Sequence, residues 1–571
     1  MSAAGEPALA WASECALRVS VGTGISEDAS ARVRAAARAL RQVRIPGLVD
    51  VTPAYATLLL TFDPRGVAEA GVESRVADAV RGALAVEPGP ARRVEIPVCY
   101  DAALAPDLAG TASLLGLSPD ELASAHAGAT YRVCFLGFSP GFAYLSGLPA
   151  RLAAPRLPVP RARVPAGSVG IGGEQTGVYP QATPGGWRLI GRTPLALFDA
   201  GRPEASLLRA GDEVRFRPIG RAEFDAMAAA ERSASPEPGE DTRAPGLRVL
   251  DPGQGSSVQD LGRAGRAAEG VPRGGAADAL ALRAGNRLVG NRDDEAGVEM
   301  TLTGATVRFE RGAVFALTGA DADAHLTDER GRTARVRAWS ATVARPGSVL
   351  RVGAMQAGAR AYLCIAGGVR VPLVLGSRST HAPSGLGGYR GRLLRAGDVL
   401  PLSERAANPG DARTASASVI DWLTGRERRR TLRVTPGAHA ALLGEGVLGA
   451  LTANEFRVTP AWDRAGARFE GPAIAPGTGR LLTEGVPPGA VQVPEDARPI
   501  LLMPDGPTTG GYAVIACVIG ADQPASGQLR PGDGVRFEVA SREEALGALR
   551  EQEAAFDAAL PGVPPEPGAG P

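Results

Sequence analysis

Four residues of this 571-residue chain are candidates for catalysis: His126, Arg378, Arg464 and Asp505. His126 falls in a predicted helix, and imidazole titrates near neutrality, so it is a candidate general acid or base. A single His is more often a buried, hydrogen-bonded residue. The two guanidinium groups and the carboxylate suit a site for a carboxylate or phosphate. The alternative for these charged residues is a network of structural salt bridges.

Candidates for binding a substrate or nucleotide lie in turns rich in Gly and hydroxyl groups. The Gly-dense run at 168–173 is of a kind that points backbone N–H groups at an anion, but it is not the G-x-G-x-x-G of a dinucleotide site. Gly-rich barrel corners are the alternative. Ser139 lacks the G-x-S-x-G context of a hydrolase nucleophile, so we expect it to line a pocket. The full set is Ser139, Gly141, Tyr144, Ser168, Gly172, Gly173, Gln175, Thr176, Gly185, Gly186, Trp187, Gln259, Asp260, Arg263, Asp278, Ser379, Thr380, Gln492, Thr508, Thr509, Gly510, Gly511 and Tyr512.

Trp187 and Tyr512 occupy matching places in two similar sequence segments. For both side chains, packing in a core and stacking on a planar ligand are the two interpretations.

The chain contains no Lys, since all 62 basic residues are Arg. A Walker-A phosphate loop, a Schiff-base enzyme and a biotinylated carrier each need a Lys, so these classes are excluded. Any anion must be held by Arg, hydroxyls or backbone N–H groups. The 62 basic and 61 acidic residues give a net charge of +1, which argues against a nucleic-acid or membrane-surface binder.

The cysteines and histidines indicate neither a disulfide framework nor a metal site. The five Cys are far apart without a C-x-x-C pair, and the four His show no H-x-x-x-H spacing. Residues 1–11 lack the features of a signal peptide, and no apolar run approaches the length of a membrane span. We therefore expect a cytoplasmic protein in a reducing compartment.

The composition, with 75 Gly and 47 Pro, favours a mainly β protein with many turns. A β-α-β-β-α pattern over the first 85 residues or so predicts a small α+β sandwich domain that caps the rest. The predicted segments are 1–88 (α+β cap), 89–232 (β-barrel), 233–245 (flexible linker), 246–405 (β module), 406–430 (linker), 431–540 (β module) and 541–571 (a helix, then a disordered tail).

Internal repeats predict that the β modules arose by duplication. The turn L-R-x-G-D occurs at 208–212, 394–398 and 529–533. V-P-x-G occurs at 164–167 and 486–489, and an aromatic residue follows Gly-Gly at 185–187 and 510–512. We therefore expect three related β-barrels, with Gly of the repeated turn at positive φ.

The first half resembles the B-type subunits of prokaryotic 5-oxoprolinases, also called the kinase-inhibitor or allophanate hydrolase subunit 1 family. The resemblance rests on 135–198, which begins F-L-G-F-S-P-G-F, with I-P-V-C-Y at 96–100 and His126 upstream. The chain from 247 onward resembles the C-type subunits, the allophanate hydrolase subunit 2 family. The matching pieces are 258–263, 270–272, 376–380, 463–464, 491–494 and 508–512. The allophanate hydrolase subunit 1 and subunit 2 families together also form the carboxyltransferase region of urea carboxylase.

The resemblance implies cyclophilin-like folds for the three repeated modules. Three positions depart from the family pattern. Gly274 stands where Ser is usual, although Asp278 is kept, and Ala465 stands where Met is usual. Ala513 and Val514 replace a frequent Pro-Lys, so any role of that Lys is vacant here.

The resemblance implies a fused B–C component of an ATP-dependent 5-oxoprolinase, which opens 5-oxoproline to glutamate with a separate A-type subunit. It also implies ATP with Mg²⁺ as cofactors, and a homo-oligomer is compatible with it. One alternative is a biotin-dependent carboxyltransferase component that acts on urea or a related amide, with biotin carried on another chain. A second alternative is a non-catalytic regulator that binds a histidine kinase.

We predict that limited proteolysis cuts the chain first within 233–245, because this stretch offers no apolar periodicity with which to pack. The two fragments are expected to stay associated on size exclusion if the site spans both halves. Clean separation, with ligand binding kept by one fragment, contradicts a shared site.

Overall fold

The computed structural model describes residues 6–63, 71–84, 91–234, 245–403, 413–427, 430–444, 446–475 and 481–562. We refer to 6–234 as the first half and to 245–562 as the second half. Most of the predicted linker at 233–245, and the predicted disordered tail beyond 562, lie outside the described residues.

The N-terminal domain is a four-stranded antiparallel sheet, in the order β1-β2-β4-β3, packed against two helices. Helix α1 begins after Ser26, whose hydroxyl caps it by accepting the N–H of Ala29. Its apolar face, including Val33 and Leu40, is buried against the sheet. The elements are β1 Ala8–Ser13, β2 Ala16–Ser20, α1 Glu27–Gln42, β3 Leu48–Pro53, β4 Thr57–Phe62 and α2 Val72–Leu84.

The first barrel follows, with sheet order β12-β9-β10-β7-β6-β13-β5. A bridge between Cys99 and Arg192 joins its two ends, and β13 pairs with β5 in parallel. Its elements are β5 Arg93–Val98, α3 Leu108–Leu114, α4 Pro119–Ala127, β6 Thr130–Leu136, β7 Ala143–Ser146, β8 Arg161–Val164, β9 Ser168–Gly172, β10 Gln175–Val178, β11 Thr183–Gly185, β12 Arg188–Arg192, β13 Glu213–Pro218 and α5 Arg221–Ala234.

The middle module is a nine-stranded sheet in which two long strands, β18 and β21, pair along most of their length. Its elements are β14 Leu247–Asp251, β15 Ser256–Gln259, α6 Ala279–Leu288, β16 Gly297–Thr301, β17 Thr306–Phe309, β18 Ala313–Thr327, β19 Thr333–Arg335, β20 Ala341–Ala344, β21 Val349–Ile365 and β22 Val399–Leu400, followed by α7 Ala417–Glu427.

The third module is a closed barrel in the order β23-β30-β27-β28-β25-β24-β31. Its elements are β23 Thr431–Pro436, α8 Ala440–Leu443, α9 Gly446–Thr452, β24 Glu455–Trp462, β25 Gly466–Glu470, β26 Glu484–Gly485, β27 Ala490–Val493, β28 Ile500–Leu502, β29 Thr509–Gly510, β30 Ala513–Val518, α10 Gln523–Gly527, β31 Gly534–Val539 and α11 Arg542–Ala559.

The first and third modules share one topology, strand for strand. Strands β5 to β13 correspond in chain order to β23 to β31, and the parallel pair β13–β5 has its counterpart in β31–β23. The two-stranded ribbon β8–β11 likewise corresponds to β26–β29. The middle module does not repeat this order, because its closing strand β22 pairs with β14 antiparallel. The mainly β fold with barrel-like sheets and an α+β cap is confirmed, and the middle module differs from the other two in its strand order.

The repeated turn forms the same hydrogen bonds at all three places. The Asp carboxylate accepts the N–H of the Arg three residues earlier, at 2.8 Å for Asp212, 2.8 Å for Asp398 and 3.1 Å for Asp533. The preceding Gly residues have φ of +97°, +94° and +93° in chain order, which confirms the predicted positive φ. The sequence repeat in the middle module is therefore a repeat of this turn.

The predicted helices are confirmed at α1, α4 and α11, whereas several elements were not predicted, among them β1 and α3. Ser541 and Glu544 form a capping box at the start of α11. Helix α7 occupies the predicted linker 406–430, because Leu423 is buried in a cluster with Trp339, a tertiary contact that the polar local sequence does not reveal.

Arg464, just after β24, joins the third barrel to the middle module. Its Nε and Nη2 each donate to Asp505 at 2.9 Å, and Nη1 donates to Oε1 of Glu299 on β16 at 2.5 Å. Nη2 also donates to the carbonyl of Gly275 at 2.6 Å. Burial opposes the charge on Glu299, but Arg464 and Arg360 outweigh it and hold the pKa of Glu299 below its usual range.

Among the described residues, none of the helices combines the length and the apolar character that crossing a membrane requires.

We predict that Arg464→Ala lowers the free energy of unfolding by about 3–5 kcal/mol, because it leaves the buried carboxylates of Glu299 and Asp505 without their shared cation. Arg468→Ala, on β25 with a half-exposed side chain 3.9 Å from Asp496, is the matched control and is expected to cost under about 1 kcal/mol. Chemical denaturation of both variants measures the difference. Unchanged stability of Arg464→Ala, with lost turnover, contradicts this structural role.

Candidate functional site

The two halves meet where the tip of the β6–β7 hairpin, residues 137–141, contacts Glu269, Gly270 and Thr509. We call this contact, together with the neighbouring residues 508 and 510, the seam. The Phe138 N–H donates to the Thr509 hydroxyl at 2.9 Å, and the Gly141 N–H donates to the Glu269 carbonyl at 2.9 Å. A Cβ on Gly137 would overlap the Thr509 side chain, so only Gly fits there. Phe138 has φ of +67°, an uncommon backbone conformation for a non-Gly residue.

Three polar side chains at or beside the seam are buried without a hydrogen-bond partner among the described residues. They are the hydroxyl of Ser139, the amide nitrogen Nε2 of Gln492 and the hydroxyl of Thr508. Ser139 belongs to the first half, whereas Gln492 and Thr508 belong to the second. Buried polar groups are normally paired, so unpaired ones drawn from both halves mark a candidate ligand site.

A second cluster lies between the middle module and the third barrel and is organised by Asp260. Its carboxylate accepts the hydroxyls of Ser377 at 2.6 Å and Ser379 at 2.5 Å, and the Arg378 N–H at 2.5 Å. The Thr380 hydroxyl donates to the Val258 carbonyl at 2.9 Å. The hydroxyls of Ser379 and Thr380 are therefore used within the protein, and Arg378 Nε donates to the Val371 carbonyl at 3.0 Å. Gln259 supports the same turn by donating to the Thr380 carbonyl at 3.1 Å.

Arg263 provides a cationic group with an unpaired nitrogen in this cluster. It is 1% exposed; Nε donates to the Val374 carbonyl and Nη2 to the Ser379 carbonyl, whereas Nη1 has no partner among the described residues. Burial lowers the pKa of Arg263, although the negative charges of Asp260 and Asp505 act to raise it.

Gly274 leaves room beside this guanidinium. A Cβ built on Gly274 would lie 3.6 Å from Arg263 Nη1 and 3.7 Å from Asp505 Oδ1. The departure from the usual Ser at this position therefore leaves unoccupied space between a cation and a carboxylate.

His381 directly follows Thr380 and was not among the predicted site residues. It is 4% exposed, and its Nδ1 has no partner among the described residues. Burial lowers the pKa of His381, while the nearby Asp505 acts in the opposite direction. Its position immediately after the R-S-T motif at 378–380 was a sequence signal that could have identified it.

The unpaired groups at these two places are mostly hydrogen-bond donors. They comprise the guanidinium Nη1 of Arg263, the amide nitrogen of Gln492 and the hydroxyls of Ser139 and Thr508, with the ring nitrogen of His381 and one acceptor, the Oε1 of Gln259, beside them. Such a donor set suits a carboxylate or phosphate, and burial strengthens each charge-assisted contact. Only Gly506 and Pro507 separate Asp505 from Thr508, so the two clusters border the same segment of the third barrel.

The structure argues against acid-base work by His126. Its ring is fully buried, with Nδ1 2.9 Å from the Tyr100 hydroxyl and Nε2 3.0 Å from the Thr176 hydroxyl. It also stacks on Phe216, with ring centroids 4.7 Å apart. Burial lowers the pKa of His126 to about 3, so the ring stays neutral near pH 7. His126 and Thr176 are therefore core residues of the first barrel.

The Gly-dense run at 168–173 forms β9 and the turn after it, rather than an anion loop. Its backbone pairs with β10 and β12, which occupies the N–H groups that the prediction assigned to a ligand. A Cβ on Gly172 would lie 2.5 Å from Nε1 of Trp187, so the glycines make room for this buried indole. Trp187 thus packs in an aromatic cluster with Phe142 and Tyr179, whereas its counterpart Tyr512 is 49% exposed. Ser168 is buried within the strand, Gly173 turns into β10, and Gly185 contacts the Tyr179 hydroxyl.

The remaining predicted residues are distributed over several places. Tyr144, Gly510 and Gly511 border the seam, and Tyr144 interacts with Thr509. Asp278 caps α6 and accepts Gln528 Nε2 at 2.9 Å; burial raises its pKa to about 6. Gly186 lies beside Pro160.

Gln175 lies apart from the other predicted residues. It lines a cavity of about 540 Å³ between the start of α1 and the open end of the β6–β7 hairpin, and its Oε1 has no partner among the described residues. We place the candidate site at the seam instead, because the unpaired donors of both halves lie at and beside it. Arg464 serves the salt-bridge network described above.

Comparison with known proteins gives two family matches. The model described as "Carboxyltransferase domain, subdomain C and D" matches residues 7–208, and "Carboxyltransferase domain, subdomain A and B" matches residues 269–539.

Relatives match each half over nearly their whole length. The chain is 41% identical to the B-type subunit of 5-oxoprolinase from Bacillus subtilis over 228 residues, which are 37% of this chain and 93% of that protein. It is 37% identical to the C-type subunit of 5-oxoprolinase from Escherichia coli over 312 residues, which are 54% of this chain and 96% of that protein. The crystal structure of TTHA0988 superposes with a TM-score of 0.77 at 36% identity, covering 92% of this chain and 99% of that one. The chain therefore belongs to the family of the 5-oxoprolinase B and C subunits, with the counterparts of both joined in one polypeptide.

Proposed function

We propose that this protein is the B–C component of an ATP-dependent 5-oxoprolinase, which converts 5-oxoproline to glutamate together with a separate A-type subunit. The observation that carries the proposal is the seam. One chain holds both counterparts over almost their full lengths, and unpaired buried donors of the two halves lie at and beside their contact. Because the two halves belong to one chain, their donors are kept in fixed positions relative to each other.

The chemistry of 5-oxoproline fits this donor set. The lactam is an unreactive amide, and transfer of a phosphoryl group from ATP to its oxygen creates a leaving group. Water then adds to that carbon, and the C–N bond of the tetrahedral intermediate breaks with proton transfer to the nitrogen, which gives an acyl phosphate. A second water hydrolyses the acyl phosphate to glutamate and phosphate. We assign Arg263, Gln492, Ser139 and Thr508 to binding the carboxylate of the substrate or the oxygens of the phosphoryl group.

The proposal includes ATP and Mg²⁺, and the described residues offer groups that suit the phosphate oxygens of ATP. The unpaired donors suit phosphate oxygens as well as a carboxylate. Within the described ranges, no group of three or more His, Cys, Asp or Glu is placed to hold a metal ion, and we assign no Mg²⁺ ligand to this chain. We also place the protein in a reducing cytoplasm, in keeping with its five free thiols.

A carboxyltransferase role is the second candidate, favoured by the description of the matching family models. Against it, Ala513 and Val514 replace a Pro-Lys that is frequent in relatives, and both side chains are buried in β30. Any contribution of an ammonium group at that place is missing from this chain.

The purified chain alone is expected to release no glutamate from 5-oxoproline. With the cognate A-type subunit, ATP and Mg²⁺, glutamate is expected to appear together with ADP, as measured by a coupled glutamate assay. Urea with a biotin carboxylase and a biotinylated carrier serves as the control for the second candidate. Full activity of the isolated chain, or carboxylation of urea, contradicts the proposal.

Removing the unpaired hydroxyls tests the seam without breaking a hydrogen bond among the residues that the structure describes. Thr508→Val and Ser139→Ala are each expected to lower kcat/KM at least about tenfold, or roughly 1.4 kcal/mol, in the complete system. Their melting temperatures are expected to stay unchanged or rise, because a buried hydroxyl without a partner is unfavourable for folding.

Thr176→Val is the matched control, since this hydroxyl is hydrogen-bonded to His126 and to the Gly170 carbonyl inside the first barrel. It is expected to lower the melting temperature, with little change in turnover per folded molecule. Normal kcat/KM in both seam variants removes these hydroxyls from the site.

A further inference from the structure

The two like barrels differ in what covers their two-stranded ribbons. We call β26–β29 of the third barrel the covered ribbon and β8–β11 of the first barrel the uncovered ribbon. The N-terminal domain packs on the covered ribbon: Arg18 of β2 donates to both carboxylate oxygens of Glu484, at 2.7 and 2.6 Å. A Cβ on Gly485 would lie 2.6 Å from the Cβ of Leu59 on β4, so the two surfaces are in close contact.

The uncovered ribbon has no such cover among the described residues of this chain. Val159, just before β8, is 79% exposed, and Arg163 and Pro184 are also exposed. The N-terminal domain is already used by the third barrel, so the equivalent surface of the first barrel is left for another molecule.

The charge of the uncovered ribbon is the reverse of that of the covered one. Arg161, which is salt-bridged to Asp107 at 2.6 Å, stands opposite Gly185 where the covered ribbon has Glu484 opposite Gly510, and Arg163 on the same strand is exposed. Residues 151–173 contain four Arg and no Asp or Glu, although the whole chain has 62 basic and 61 acidic residues. A surface that complements this segment therefore carries carboxylates.

The uncovered ribbon also borders the candidate site. Val164 of β8 and Tyr144 belong to the same buried cluster. Tyr144 in turn interacts with Thr509 at the seam. A protein seated on the ribbon would therefore reach the open side of the seam, where Phe138 and Tyr512 are exposed.

We propose that the uncovered ribbon is the docking face for a partner protein that presents acidic side chains, and that this partner is the A-type subunit. This identity rests on the proposed function. The ribbon holds the partner against the seam, in the way that the N-terminal domain is held against the covered ribbon.

The test uses biolayer interferometry to measure the Kd for the cognate A-type subunit. Arg163→Glu and Val159→Asp are each expected to weaken binding about tenfold or more, because each places a negative charge against an acidic surface. Arg330→Glu, in the exposed turn between β18 and β19 of the middle module, is the matched control and is expected to bind as the wild type does. Added salt is expected to weaken wild-type binding more than that of Arg163→Glu.

Unchanged Kd in both ribbon variants overturns the docking face, and glutamate release by the wild-type complex then leaves the proposed function intact. Absence of any binding by the wild-type chain overturns both. Sedimentation of the chain as a dimer that Arg163→Glu dissociates assigns the ribbon to a second copy and also overturns the proposal.

Discussion

The ion pairs of Arg464 hold the second half together. This guanidinium lies between Glu299 of the middle module and Asp505 of the third barrel, and all three side chains are removed from most solvent. Bringing such charges out of water is unfavourable unless each one is matched, so the two modules are stable only in the register that matches them. The same register sets Arg263 of the middle module near the Asp505–Thr508 segment of the third barrel.

Duplication explains the architecture, and divergence of the copies explains the site. Nine strands recur in the same order and pairing in the first and third barrels. Yet the β6–β7 tip of the first barrel contacts Thr509 at the seam, whereas the equivalent β24–β25 turn of the third barrel carries Arg464 and faces the middle module. Equivalent places in one fold therefore serve the contact between the halves in one copy and the internal salt bridges in the other.

The arrangement also separates residues that stabilise from residues free to bind. Asp260 uses its carboxylate to fix the turn at 377–379, and His126 uses both ring nitrogens inside a barrel. By contrast, the hydroxyls of Ser139 and Thr508 and one nitrogen of Arg263 satisfy no group of the described structure. Buried polar groups without a hydrogen-bond partner are unfavourable for folding. Binding of an oxygen-rich ligand would explain why such groups are kept beside the contact between the two halves.

The sequence by itself determined the β-rich class, the α+β cap, the repeated turn and the family, because these depend on local patterns: Gly at positive φ, capping residues and periodic apolar positions. It also located the segments that border the seam. Only the tertiary structure decided the role of each side chain within them. His126 and Arg464 look like free chemical groups in the sequence, but partners from distant segments occupy them, whereas His381 is left with an unpaired ring nitrogen among the described residues. Hydrogen-bond pairing depends on which distant residues fold together, and no local pattern encodes that.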